Sequence, residues 1–173
     1  MIEMCSKTFI EIMNIAKAFI NVHDDRTSCS TVHLHFQDDV CTVTALDGVT
    51  AIITKRACKT NKEELDVFVP LITIPKGNYT VGIDDVGENI EILSTQGKQV
   101  IKKCDSNAID IAKFVSENEN GIEICFNTEI LNRVFNALKK EGKVFLTIQA
   151  PNKPMVFKTN SAQGVVLPIY KKQ

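Results

Sequence analysis

The sequence predicts an α+β fold of antiparallel sheets carrying two long amphipathic helices. Three observations lead there. Strand-like stretches follow one another through tight turns rather than alternating with helices, which disfavours a parallel sheet. Only two stretches, 5–22 and 127–140, repeat their apolar residues at helical spacing. The 173 residues are 44% hydrophobic and 24% charged, ordinary values for a globular chain with room for one substantial core or two small units.

Taken in order, Cys5 to Val22 is expected to be a helix, with Phe9, Ile12, Met13, Ala16, Phe19 and Ile20 on one side and Lys7, Glu11, Asn14 and Lys17 largely on the other. Turn formers in His23–Ser28 break it. Val32, Leu34 and Phe36 alternate with polar neighbours as a half-buried strand, and Asp38-Asp39 turns the chain into a second strand ending at Leu46. Asp47-Gly48 is a hairpin signal, because glycine reaches positive φ at little cost. Val49 to Cys58 resumes extended structure, 59–64 is a polar loop, and Leu65 to Val69 is a strand stopped by Pro70. Pro75 and Gly77 leave no room for a regular helix between Pro70 and Tyr79. Thr80–Asp84, Asn89–Ser94 and Gln99–Cys104 are three further strands. A polar connection follows, with a helical turn or two expected within 109–115 and a loop at 117–121.

The last stretch, 122–170, is expected to run strand, helix, three strands. Asn127 or Thr128 caps the helix, Glu129 favours its first turn, and Ile130, Leu131, Val134 and Leu138 form its apolar stripe. Lys139, Lys140 and Gly142 close it. Strands are expected at 144–149, 155–159 and 165–170. The stretch from Val67 and that from Glu123 share an order of elements, with the helix missing from the first; this suggests an internal repeat.

Chemistry-bearing motifs are scarce. Cys5, Cys29, Cys41, Cys58, Cys104 and Cys125 are dispersed, without a CxxC pair or metal-ligand spacing, and are expected to be reduced thiols. His33 and His35 share a strand face without a matching carboxylate or thiol partner in sequence, so they are expected to face solvent rather than a metal. There is no P-loop, GxGxxG, HExxH or GxSxG. An enzyme on an unrelated fold is therefore the weakest reading, and no cofactor is expected. The formal charge of -1 gives no global basic field, although Lys7, Lys17, Arg133 and Lys140 lie off the apolar stripes. No apolar run is long enough to span a membrane, and a cytoplasmic protein is expected.

The stretch IEICFNTEILNRVFNALKK, with VFLTIQ, PMVFKT and VVLPIYK after it, resembles the last half-domain of the bacterial DNA sliding clamp family, the beta subunit of DNA polymerase III. The early helix, VHLHFQDDVCTVTALDGVTAIITKR and VFVP resemble the first half of a clamp domain, and YTVGIDDVGENIEILSTQGKQVIKKCD resembles the three strands that follow such a domain's second helix. The resemblance implies a DNA-clamp-like fold with the helices on one face. It implies a clamp-like domain over 1–104 that lacks its second helix, and a C-terminal clamp half-domain over 105–173. These could pack as one compact unit 1–173; alternatively the two helix-bearing halves pair directly and 71–118 is an insertion. It further implies a non-catalytic tether in replication or repair, in contact with double-stranded DNA without sequence preference, and a possible homo-oligomer. The inner-face positions carried over are Lys7, Lys17, Arg133 and Lys140. A pocket for short linear peptides of polymerase or repair proteins is carried over to Leu46, Gly48, Val49, Ala51, Pro70, Val165, Leu167 and Ile169. A clamp-fold interaction module that does not touch DNA is the alternative.

Overall fold

The computed structural model describes residues 1–61, 64–111 and 123–169. The chain divides into two compact units, Met1–Ser116 and Glu117–Gln173, a division later in the chain than 104/105.

The first unit opens with β1 (Ile2–Cys5), then α1 (Ser6–Lys17), a single helical turn α2 (Thr27–Ser30), β2 (Val32–Gln37), β3 (Val40–Leu46), β4 (Ala51–Ala57) and the short β5 (Lys59–Thr60). It continues with β6 (Glu64–Val69), β7 (Thr80–Val86), β8 (Asn89–Ser94) and β9 (Gly97–Lys102). Two antiparallel sheets result, in the orders β4-β3-β2-β6 and β5-β1-β7-β8-β9. The opening strand of each half thus crosses over: β1 joins β7, and β6 joins β2. Residues 80–102 are therefore built into this unit through β1 and are not an insertion.

The alternation expected for β2 holds, with Val32, Leu34 and Phe36 buried. In β3, Cys41, Val43 and Ala45 point inward. The Asp38-Asp39 turn has φ of 50° and 59°, a left-handed pair that aspartate tolerates and that matches the twist of a two-residue hairpin. Phe9, Ile12, Met13 and Ala16 of α1 enter a core shared with both sheets, including Val32, Phe36, Val81, Ile83 and Ile92. Burial of each large side chain there is worth about 1.5–3 kcal/mol.

Helix α1 is shorter than expected, ending at Lys17 instead of Val22. Beyond it Asn21 N–H donates to the Cys29 carbonyl at 2.9 Å, and this turns the chain toward α2 before Phe19 and Ile20 can continue the helix. Both side chains still pack against the core. Strand β1 and the pairing of Lys59–Thr60 with it were not foreseen, since 59–64 carries no apolar pattern.

No helix follows Pro70. Residues 71–79 instead form an extended strap in which Ile72 and Ile74 are buried and Thr73 is exposed. A period of two replaces a helical stripe as the means of covering the core. The strap is tied at several points. Gln99 Nε2 donates to the Thr73 carbonyl at 3.3 Å, and the Tyr79 hydroxyl donates to the Pro75 carbonyl at 2.6 Å. Fully buried Ser6 donates its hydroxyl to the Gly77 carbonyl at 2.8 Å and accepts from Tyr79 N–H at 3.2 Å.

In the second unit, Asn127 caps α3 (Thr128–Leu138), its side chain accepting from Glu129 N–H at 2.8 Å and Ile130 N–H at 3.2 Å. A 3-10 turn (Lys139–Glu141) follows, and Gly142 leaves it at φ 74°. The strands are β10 (Phe145–Thr147), β11 (Met155–Lys158) and β12 (Gln163–Val166), in that order across the sheet. Residues 123–127 form no strand of a sheet among the described residues, unlike the expected strand. The expected helical turn within 109–115 falls largely outside the described residues, as do the loop at 117–121 and Tyr170.

Candidate functional site

Five of the eight proposed peptide-contact positions lie at one end of the four-stranded sheet. Leu46 and Ala51 face each other across the β3–β4 ladder, and Asp47 to Thr50 make the turn. The Asp47 carboxylate accepts from Val49 N–H at 2.9 Å and Thr50 N–H at 2.6 Å. The Thr50 and Val49 backbone donors hold its pKa below the usual carboxylate value. Gly48 has φ 87°, which only glycine adopts freely, and Val49 is 92% exposed. Pro70 follows Val69, which pairs with Val32 of β2. The registers of β2 with β3 and with β6 therefore set Pro70 at the same sheet end as the turn, two strand spacings away, about 10 Å.

Two unforeseen residues complete this end. An added Cβ on Gly48 would lie 2.5 Å from Arg26 Nη2, so the guanidinium rests directly over the glycine. Asp24 fixes it there. Arg26 Nε and Nη2 donate to the two carboxylate oxygens at 2.9 Å and 2.8 Å, and Arg26 N–H donates at 2.9 Å. The side-chain hydrogen bonds to Arg26, with the backbone one second, lower the Asp24 pKa to about 2. Cys29, buried one turn later in α2, anchors the arginine's segment in the unit. In the sequence, Asp24 and Arg26 look only like turn formers; nothing local announces that they fold back onto the β3–β4 turn.

Val165, Leu167 and Ile169 belong to the second unit. They are 58%, 69% and 46% exposed. Val165 faces Val156 across the β11–β12 ladder, and Leu167 and Ile169 continue its alternation beyond the strand. Ile169 N–H donates to the Cys125 carbonyl at 2.7 Å, which fixes the tail beside the segment leading into α3.

The four candidate DNA contacts are all exposed: Lys7 and Lys17 on α1, Arg133 on α3 and Lys140 in the 3-10 turn. The outer faces are not uniformly basic. Glu11 lies one turn from Lys7, and Glu129 one turn from Arg133. Elsewhere, Lys98 and Lys103 are paired with Glu91 and Asp85, each at 2.5 Å.

The histidines do not simply face solvent. His33 stacks on Phe68, with centroids 4.4 Å apart and planes 12° apart, and pairs with Asp66. His35 Nδ1 lies 3.7 Å from Glu64 and 4.0 Å from Asp66. Among the described residues no group of three His, Cys, Asp or Glu side chains is arranged to hold a metal. All six cysteines are free thiols. A cleft of about 490 Å³ beside β1 is lined by Cys5, Cys58, Lys59 and Tyr79, among others. Burial raises the pKa of the Cys58 thiol, which makes it a poor nucleophile. Among the described residues no helix is long and apolar enough to cross a membrane.

No family model matches the sequence, and no curated protein matches it. Solved structures do match. The DNA polymerase sliding clamp of Bacillus subtilis is similar with a TM-score of 0.81 and 13% identity, over 96% of this chain and 48% of that one. The Pseudomonas aeruginosa sliding clamp gives 0.80 and 14%, over 98% of this chain and 51% of that one. The Helicobacter pylori beta clamp bound to a DNA ligase peptide gives 0.74 and 12%, over 97% of this chain and 50% of that one. The fold is thus that of the bacterial DNA polymerase III beta sliding clamps, and the chain spans about half the length of the clamps it matches.

Proposed function

We propose that the protein is a clamp-like factor of DNA replication or repair in the cytoplasm, a non-catalytic tether that meets duplex DNA and recruits polymerase or repair proteins through short linear peptides. The observation that carries this reading is the fold likeness over 96% of the chain in one clamp and 98% in another, at low identity. On this reading 1–104 is a clamp domain with a strap in place of its second helix, and 105–173 is a half-domain. Lys7, Lys17, Arg133 and Lys140 then offer four exposed cations to phosphates, an attraction that is indifferent to base sequence. Leu46, Gly48, Val49, Ala51 and Pro70 on one unit, and Val165, Leu167 and Ile169 on the other, are the positions we assign to peptide binding. That the Helicobacter pylori clamp was solved with a DNA ligase peptide supports a peptide of that class as the ligand to try.

A second reading, a clamp-fold interaction module without DNA contact, is favoured by Glu11 and Glu129 on the two basic helix faces and by the net charge of -1. One titration separates the two. Fluorescent duplex DNA and a fluorescent clamp-binding peptide are each titrated with the protein at low salt. Binding of both supports the first reading. Peptide binding alone supports the second, and binding of neither removes both.

A further inference from the structure

The first unit shows how a half of this kind is completed. Each of its halves runs opening strand, connection, three-stranded sheet, and each opening strand crosses to the other half's sheet. β1 pairs with β7 and β6 pairs with β2, always antiparallel and always against the first sheet strand of the other half. The registers agree as well. The last residue of each opening strand, Cys5 or Val69, faces the first residue of the receiving strand, Thr80 or Val32. On its other side β1 borders β5, the short strand that follows its own half's sheet, with Ile2 facing Thr60.

The second unit contains one such half. Ile124–Asn127 leads into α3 as β1 leads into α1, and β10, β11 and β12 follow as β2, β3 and β4 do. Its own-half neighbour is already in place, because Ile169, beyond β12, donates to the Cys125 carbonyl just as β5 borders β1. The crossover neighbour is not in place. Among the described residues, β10 pairs only with β11, so its outer edge is open. Apolar residues gather around that edge: Phe145 is 66% exposed, Leu146 46% and Ile148 44%. Helix α3 buries no residue, whereas α1 buries Phe9, Ile12, Met13 and Ala16; Ile130 and Phe135 are left 38% and 41% exposed.

Among the described residues, the unit therefore carries both an opening segment without a receiving strand and a receiving strand without an opening segment. A two-fold axis satisfies both at once, since in such an interface residue i meets j while j meets i. We infer that two copies of this chain join through their second units, Ile124–Asn127 of each adding antiparallel to β10 of the other, with the exposed apolar residues of α3 and β10 closing into a common core. Transfer of the first unit's register sets Asn127 against Phe145, Phe126 against Leu146 and Cys125 against Thr147 of the other copy. The pairing also hides an edge that would otherwise template aggregation. It rests on the internal repeat and holds whether or not the protein meets DNA.

Facing residues in an antiparallel pair have Cα atoms roughly 4.5–5.5 Å apart, within the span a disulfide bridges. Thr147→Cys is accordingly expected to give a covalent dimer through native Cys125 under mild oxidation, and to lose it when Cys125→Ser is added. Leu146→Asp should weaken the dimer at least tenfold in sedimentation while the wild-type chain sediments as a dimer at micromolar concentration. A wild-type monomer across that range overturns the inference. So does a dimer that lacks the cross-link, or a cross-link that survives Cys125→Ser, because each places the contact elsewhere.

Discussion

The guanidinium of Arg26 lies over Gly48, close enough that any side chain at 48 would displace it. Two segments far apart in sequence, the 21–26 turn and the β3–β4 hairpin, are joined there by one residue that has no side chain and one held by Asp24. Arg26 therefore roofs the turn that we assign to peptide contact, and a peptide seated on Gly48 has to share that position with it or move it aside.

Gly48→Ala is expected to destabilise the protein by about 1–2 kcal/mol, chiefly through the left-handed backbone. Arg26→Ala alone should change stability little, because solvent screens an exposed ion pair. The double variant should recover only part of the Gly48→Ala loss, since removing Arg26 relieves the contact and not the φ of 87°. Urea unfolding of the four proteins measures this; full recovery would mean that the crowding, not the backbone, set the cost.

The same turn has a pH signature. The folded pKa of Asp24 is about 2 against an ordinary value of 3.8, and that of Asp47 is also lowered. Depressed carboxylates contribute stability that is fully present above the unfolded value and lost as pH falls through the folded one. The amide signal of Arg26 should thus stay in place from pH 7 to about 4 and shift as pH falls through about 2, and those of Val49 and Thr50 should shift only below the ordinary carboxylate range. Movement of these signals above pH 5 would contradict the ion pair and the turn hydrogen bonds.

The strap predicts an alternating pattern of mutational cost. Ile72→Ala and Ile74→Ala should each cost about 2–4 kcal/mol, as buried large-to-small changes do, while Thr73→Ala should be near neutral. Ser6→Ala should cost about 1–3 kcal/mol, because it leaves the Gly77 carbonyl and Tyr79 N–H short of a partner. Thermal or urea unfolding reads all four. Equal costs at 72, 73 and 74 would mean that the strap does not cover the core.

Much of this architecture was legible because sheets declare themselves through alternation and turns through residue type. Val32, Leu34 and Phe36 gave β2, Asp38-Asp39 gave its turn, and Asn127 and Gly142 marked the ends of the helical segment around α3. What stayed hidden was long-range. β1 and β5 pair through backbone groups and carry too few residues for a pattern. The end of α1 is fixed by a hydrogen bond to Cys29, not by a breaker at residue 18. The site was legible where its residues define a turn or a proline stop. It was not where Arg26 reaches Gly48, because no spacing rule connects them. Pro70 and Ala51 could be placed at one sheet end only once the registers of β2, β3 and β6 were known.

The central claim, that this clamp fold tethers DNA through phosphates, is tested most directly by the salt dependence of duplex binding. Each cation-phosphate contact adds about 0.9 to the slope of log affinity against log salt. Replacing Lys7, Lys17, Arg133 and Lys140 together with Ala should weaken binding on any sequence and flatten the slope by up to roughly 3–4. An unchanged slope, or no duplex binding by the wild-type chain at low salt, would contradict it.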